Sequence, residues 1–327
     1  MRANRDASPV LPGAVWTRGL PLQQTLKSAV TFRGRGLHGG AAVRMVVRPA
    51  AANMGLWFRR TDAVRGDALI PAAWDAVVPS RLCTVIANAD GVQVSTIEHV
   101  MAALAGCAIH NAIIDIDGPE VPILDGSAAP FVDGFLRAGL VRQSAPVRAI
   151  RVMAAVEVTE GDAVARLEPS EMLEIDFRID FADAAIGVQE KRLNMANGAF
   201  VRELSDSRTF CRESDVVAMR ASGLALGGNY DNAVVFDGDR VLSPGGLRHG
   251  DEPVRHKMLD ALGDLALAGG PVLGRYTGIR AGHALTNRLL RRLFSTPGAA
   301  VPVEVAAPMG QKLPGVGVVR ADLPRHS

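Results

Sequence analysis

An α+β fold of about two domains is the architecture this sequence predicts, on three observations. The chain has 327 residues, enough for about two domains at roughly 150 residues each. Its strand-like segments come in groups with a few helices between them, without the strict alternation of a wound parallel sheet. The chain also turns polar from Gln143 to Pro146 before a fresh series of strands, which puts a boundary near residue 147. Both halves begin with strands and end in helix-rich stretches, a hint of duplication.

The elements follow in order. Residues 1–21 carry Arg2, Arg5, Arg18, Pro9, Pro12 and Pro21 and lack the apolar core of a secretory signal, so they read as a flexible leader. Residues 26–32 and 42–48 are strand-like, the second closed by Pro49, with a glycine-rich turn over 34–40 between them. Ser95 followed three residues later by Glu98 is the signature of a capped helix start, and that helix runs to Gly106. Residues 113–117 are again a strand. Beyond the boundary, 151–159, 163–167 and 173–179 read as strands, and 198–203 and 213–221 as helical, the latter ended by Gly223. The strongest helix covers 253–267. From Pro297 onward Pro302, Pro308, Pro314 and Pro324 recur with few large apolar groups, so 297–327 is expected to be a loose or extended tail.

Composition narrows the function. Hydrophobic residues make up 48% and charged ones 21%, which excludes disorder as the main state. A net charge of +2, from 36 basic and 34 acidic residues, leaves no excess to grip a polyanion. Aromatics at 5% argue against base-stacking platforms, so no nucleic-acid partner is expected. Cys83, Cys107 and Cys211 are odd in number and form no CxxC pair; this excludes a disulfide scaffold and points to a reducing cytoplasm. No apolar run reaches about 18 residues, so no transmembrane segment is expected. No coiled-coil seam stands out, and a monomer is expected.

Gly34, Gly36 and Gly39 match the spacing of a dinucleotide fingerprint, but a β-branched strand follows instead of a helix and the next acid is Asp62, so a hairpin is the better reading. The helix at His256 is more informative. At about 100° per residue, Asp260 lies about 40° from His256, Asp264 about 80° and Lys257 about 100° away, with Met258, Ala261, Leu262 and Leu265 opposite. That face is either a solvated polar stripe or a ligand set, since a His and a carboxylate at i, i+4 reach one ion. Glu98-His99 presents a base and a ligand together. A zinc ion on His99, His256 and Asp260 keeps a fourth position for water, whose proton Glu98 accepts. His283, following Gly282, either caps a helix start or protonates a leaving amine with Asp264 as its partner. Residues 207–228 form an amphipathic helix between glycine-rich turns, which lines an apolar channel or packs as ordinary core.

Together these segments resemble the zinc-dependent UDP-3-O-acyl-N-acetylglucosamine deacetylases of lipid A biosynthesis. The matching stretches are 36–40 (GLHGG), 81–84 (RLCT), 95–99 (STIEH), 122–131 (PILDGSAAPF), 207–210 (SRTF), 231–235 (DNAVV), 254–260 (VRHKMLD) and Gly282-His283, in order over about residues 22–295. The resemblance implies a two-domain sandwich of two similar βα-layer domains, 22–147 and 148–296, with the site between them. It implies one catalytic Zn²⁺ per chain on His99, His256 and Asp260, Glu98 as general base, His283 as acid, Asp264 as its partner, and Thr209 stabilising the oxyanion. It implies nucleotide contacts at Lys257 and Phe181 and an acyl passage in an insert over about 210–236 with Phe210, Val216, Leu224, Ala233 and Val235. Cys83 falls among the substrate contacts. The implied reaction removes the N-acetyl group of UDP-3-O-[(R)-3-hydroxyacyl]-N-acetylglucosamine, the committed step toward lipid A. Gly39 stands where the family frequently has Thr, and Arg212 and Glu213 put charge where the passage is usually apolar. A zinc hydrolase of another class and a non-catalytic nucleotide-sugar or lipid-binding module are the competing readings.

Overall fold

A computed structural model describes residues 20–324. The expected leader therefore lies outside the described residues, apart from Leu20 and Pro21.

The first half opens with β1 (Leu22–Leu26), then an antiparallel hairpin of β2 (Val30–Arg35) and β3 (Ala42–Pro49) with Phe32 opposite Met45. The glycine-rich segment is the turn of this hairpin, as expected. β4 (Leu56–Arg60) and β5 (Leu69–Pro71) follow. A small meander of β6 (Val77–Val78), β7 (Val85–Ala87) and β8 (Gln93–Ser95) leads into α1 (Glu98–Gly106). β9 (Ala112–Ile116) slots between β3 and β4, completing a sheet ordered β2-β3-β9-β4-β5. Alternation puts Val43, Met45 and Val47 on its inner face. α2 (Ala129–Ala138) covers that face, where Phe131 meets Phe32 edge-on with centroids 5.0 Å apart. β10 (Leu140–Pro146) returns to pair with β1.

The second half begins with β11 (Arg148–Val152) and two hairpins, β12 (Val156–Glu160) with β13 (Ala163–Glu168) and β14 (Leu173–Asp180) with β15 (Val188–Asn194). The helix expected over 198–203 is a single π-type turn, Phe200–Leu204. Then come β16 (Phe210–Arg212), α3 (Glu213–Ala221), β17 (Val234–Asp237) and β18 (Arg240–Val241); β16 and β17 run parallel, and no residue of the intervening α3 is buried. α4 (Glu252–Leu265) leads to β19 (Val272–Ile279), the central strand of the second large sheet, which pairs with β11, β13 and β14. α5 (His283–Ser295) packs against β12 and β13.

α1 and α4 meet face to face where the two halves join, and one continuous apolar core runs through both. The approach is so close at Gly263 that a Cβ there would lie 2.1 Å from the Glu98 carbonyl oxygen. The architecture is thus α+β, with helices of both halves between two outer sheets.

Further local expectations change. The single strand expected over 151–159 is broken, its ends lying in β11 and β12. The amphipathic helix expected over 207–228 is helical only in α3, with β16 before it. The segment from 297 is not loose: β20 (Ala300–Glu304) pairs antiparallel with β11, and the one-turn α6 (Ala307–Gly310) follows. Val305 and Leu313 then bury themselves against Val147, Ala149 and Leu273. The edge of β11 supplies the backbone partners that the tail's own composition could not. Nor does Ser95 cap α1. It ends β8, its hydroxyl donates to the Pro119 carbonyl, Thr96 turns the chain with φ 58°, and no side chain caps the helix.

Candidate active site

α1 and α4 each contribute one side of a buried cluster. Glu98 and His99 are the first two residues of α1, and His256, Asp260 and Asp264 lie on successive turns of α4. All five are buried, so the polar stripe of α4 faces the other half of the molecule and not solvent. The His99 and His256 rings stand edge to face with centroids 4.9 Å apart. Asp260 Oδ1 lies 3.3 Å from His256 Nε2 and 3.7 Å from His99 Nε2.

That oxygen is the telling atom. It is buried and accepts no hydrogen bond among the described residues, an arrangement that costs free energy unless something cationic occupies the space. Ligand atoms of His99, His256 and Asp260 lie within 4.8 Å of one another. Two imidazoles and a carboxylate are a donor set suited to zinc. His256 Nδ1 donates to the Ser207 carbonyl at 3.0 Å, which leaves Nε2 free as the ligand atom. Burial pulls the His99 pKa down to about 3, and burial likewise holds His256 below its ordinary value, a shift that favours the unprotonated imidazole a metal needs. Burial alone would raise Asp260, but His256, Lys257 and His283 hold it well below the usual carboxylate range. The cluster fits a divalent ion.

Two titratable groups flank it. Glu98 Oε1 and Asp260 Oδ2 lie 3.8 and 3.9 Å from Nε2 of His283, the first residue of α5. His283 Nδ1 donates to Asp264 Oδ2 at 2.8 Å. Burial would lower His283, but Asp264, Glu98 and Asp260 surround it and push its pKa up to about 9. Burial pushes Glu98 up to about 7, against the pull of His283. One group is thus a ready proton acceptor and the other a ready donor. Because Ser95 is not a cap, Glu98 is not spent on one: its Oε2 accepts from the Thr84 amide at 3.0 Å.

A cavity of about 570 Å³ opens above the cluster, lined by Glu98, His99, His256, Lys257, Asp260, His283, Thr209 and Phe181. An arm runs between β16, α3 and β17, where Phe210, Val216, Ala233 and Val235 line it, joined by Met219, Ala225 and Tyr230, which sequence reasoning missed. Phe181 meets Phe210 edge-on at 5.5 Å. Leu224 and Cys83 do not line the cavity: Ala225 takes Leu224's place, and Cys83 is buried, with its thiol pushed up to about 11 by burial and by Glu98. Lys257 Nζ donates to Asp260 Oδ2 at 2.7 Å. Arg212 is not a free charge in the arm, since Asp215 neutralises it at 2.7 Å. A smaller cavity of about 260 Å³, with Ala105, Ile109, His110, Leu262 and Leu265 on its walls, lies toward the other ends of α1 and α4 and holds none of this chemistry.

Supporting residues carried no local signal. Glu120 accepts from the backbone of His38 and Gly39, each at 2.8 Å, and so pins the glycine turn that brings His38 into the cavity wall. A Cβ at Gly36 would lie 2.2 Å from that carboxylate, which is why the turn needs glycine there. At Gly39 a Cβ would lie 3.3 Å away, a contact that a small adjustment absorbs. Glu252, wholly buried, accepts from the Arg208 amide and guanidinium at 2.9 Å and fixes the 207–209 segment to the start of α4.

The family model described as LpxC: UDP-3-O-acyl N-acetylglycosamine deacetylase matches residues 23–295. A protein named UDP-3-O-acyl-N-acetylglucosamine deacetylase from Phenylobacterium zucineum is 52% identical over 277 residues, covering 85% of this chain and 94% of its own. Proteins of the same name from Shewanella oneidensis and Stenotrophomonas maltophilia are 43% and 45% identical, covering 91% and 88% of this chain and 99% and 98% of theirs. The match spans both halves and every residue of the buried cluster, and the chain belongs to the UDP-3-O-acyl-N-acetylglucosamine deacetylase family.

Proposed function

We propose that this chain hydrolyses the N-acetyl amide of UDP-3-O-[(R)-3-hydroxyacyl]-N-acetylglucosamine, releasing acetate and a free amine on the path to lipid A. One observation carries the reading: a buried His-His-Asp set, with a carboxylate and an imidazole of opposite proton affinity beside it, at the floor of a cavity with an apolar arm.

His99, His256 and Asp260 would hold one zinc ion, which when bound would supply Lewis acidity to the water and the carbonyl. Glu98 takes a proton from the attacking water. The Thr209 hydroxyl donates to the carbonyl oxygen as charge develops on it; the Thr209 backbone is fixed by bonds to Gly126 and Val234, both at 2.8 Å. His283, kept protonated by Asp264, gives its Nε2 proton to the departing nitrogen; the products are the amine and acetic acid, which ionises to acetate in water, and the proton left on Glu98 returns to His283 Nε2, 3.8 Å away, to reset the pair. Lys257 and Phe181 face the nucleotide part, and Phe210, Val216, Ala233 and Val235 hold the acyl chain. A domain limit near residue 147, with the second domain extended past 296 to include the strand that pairs with β11, a cytoplasmic location and a monomeric state belong to the same proposal. No helix among the described residues is long and apolar enough to cross a membrane.

The test measures metal content beside acetate release from the acylated UDP-sugar. Wild type should hold one zinc per chain and release acetate. Glu98→Ala should keep the metal and lose about 10²–10⁴-fold in kcat. Near-wild-type turnover in that variant would remove Glu98 from its role.

A further inference from the structure

Thr84, on the approach to β7, touches Glu98 directly and reaches His283 through Asp264. It is 3% exposed. Its hydroxyl donates to Asp264 Oδ1 at 2.6 Å, while the other oxygen of Asp264 accepts from His283 at 2.8 Å. Its amide donates to Glu98 Oε2 at 3.0 Å, while Glu98 Oε1 faces His283 Nε2 at 3.8 Å. Its carbonyl accepts from the Ile97 amide, just ahead of α1, at 3.4 Å. Every polar group of this residue is therefore committed to the site, and Glu98, Thr84, Asp264 and His283 form a closed ring.

We propose that Thr84 is a positioning residue for the proton transfers, its amide fixing the Glu98 carboxylate and its hydroxyl fixing Asp264 and, through it, the His283 ring. The inference rests on the function proposed above. The physical need is specific. A carboxylate with one oxygen bonded to an imidazole can still pivot about its side-chain torsion, and the imidazole pivots with it. A second donor on the other oxygen removes that freedom. The 2.6 Å distance is that of a hydroxyl bonded to an ionised acceptor. Valine has nearly the same shape but no donor, so it would leave Asp264 Oδ1 buried and unsatisfied. Serine keeps the donor and loses only a methyl group. Either substitution retains the backbone bonds to Glu98 and Ile97, so the pair isolates the hydroxyl.

The experiment uses the full-length, metal-loaded enzyme with the acylated UDP-sugar and compares Thr84→Val, Thr84→Ser, Asp264→Asn and the Thr84→Val/Asp264→Asn double variant. Thr84→Val should lose about ten- to a hundredfold in kcat with KM nearly unchanged and metal content intact, as expected for loss of an outer-shell hydrogen bond. Thr84→Ser should recover most of that rate. In the double variant the valine should add little to the loss from Asp264→Asn, because the two act through one bond. A valine variant as fast as wild type overturns the inference; so do a serine variant as slow as the valine one, and losses that multiply in the double variant. These results differ from failure of the proposed function, in which the wild-type chain itself would release no acetate.

Discussion

Three imidazoles in this fold meet two opposite fates, each set by its surroundings. His283 is ringed by carboxylates and stays charged up to about pH 9, whereas His99 is kept neutral by burial, its pKa falling to about 3. His110 sits outside the candidate site, on the wall of the smaller cavity, where its Nδ1 accepts from the Gln24 amide at 3.0 Å. Burial pulls its pKa down to about 4, from 6.5 in a free chain. The neutral form is thus the one the fold selects. Its contribution to stability is complete above pH 6.5 and is lost as pH falls toward 4. At pH 5 that loss is about 2 kcal/mol by linkage. Urea unfolding of wild type and His110→Gln at pH 7 and pH 5 should show the difference between them narrowing by about this amount on acidification. An equal pH response in both proteins would mean that His110 titrates as freely folded as unfolded.

At the scale of elements, the geometry of the candidate site depends on how closely α1 and α4 approach. Gly263 is a point of close contact, where a methyl group would lie 2.1 Å from the Glu98 carbonyl oxygen and 3.2 Å from the Ala102 amide. Gly263→Ala is therefore predicted to push the helices apart, costing about 1–3 kcal/mol in urea unfolding and lowering acetate release, because His99 on one helix and His256 on the other would no longer share an ion. An alanine variant with wild-type stability and rate would show that the interface has slack. The sequence revealed much of this layer. The 3.6-residue period placed His256, Asp260 and Asp264 on one face, and that face is buried with them. It could not reveal what stands opposite. Ser95 and Glu98 have the spacing of a capping box, yet Glu98 turns to the Thr84 amide, 14 residues earlier in the chain, and a local pattern has no access to that partner. Glu120 is silent for the same reason: its acceptors serve the turn at His38 and Gly39, more than eighty positions away.

The whole molecule is two halves that share one core and one candidate ion site, so whatever secures the halves to each other also secures the chemistry. The order of motifs from 36 to 283 was legible because each carries side chains whose chemistry is recognisable in isolation. The segment after 296 was not, because its structure is borrowed: proline-rich and poor in large side chains, it takes its order from the edge of β11 and from the groove between the halves. Once there it touches both. Gly310 packs on Pro21, Gly315 sits so close to the end of α1 that a Cβ would lie 2.3 Å from the Ala108 amide, and Arg320 pairs with Asp133 of α2 at 2.8 Å. Val305 and Leu313 are 0% and 2% exposed, and burying two such side chains contributes about 1.5–3 kcal/mol each. Deleting residues 297–327 should therefore lower stability by at least about 3 kcal/mol, and Leu313→Ala alone by about 2–5 kcal/mol, both read from urea midpoints of the metal-loaded protein. The truncated chain should also be cut faster by protease near Val147, whose amide and carbonyl bond to Pro21 and Val305 across the junction. If the truncated chain unfolds at the same urea concentration as the full one, the segment is an appendage and the halves hold together through α1 and α4 alone.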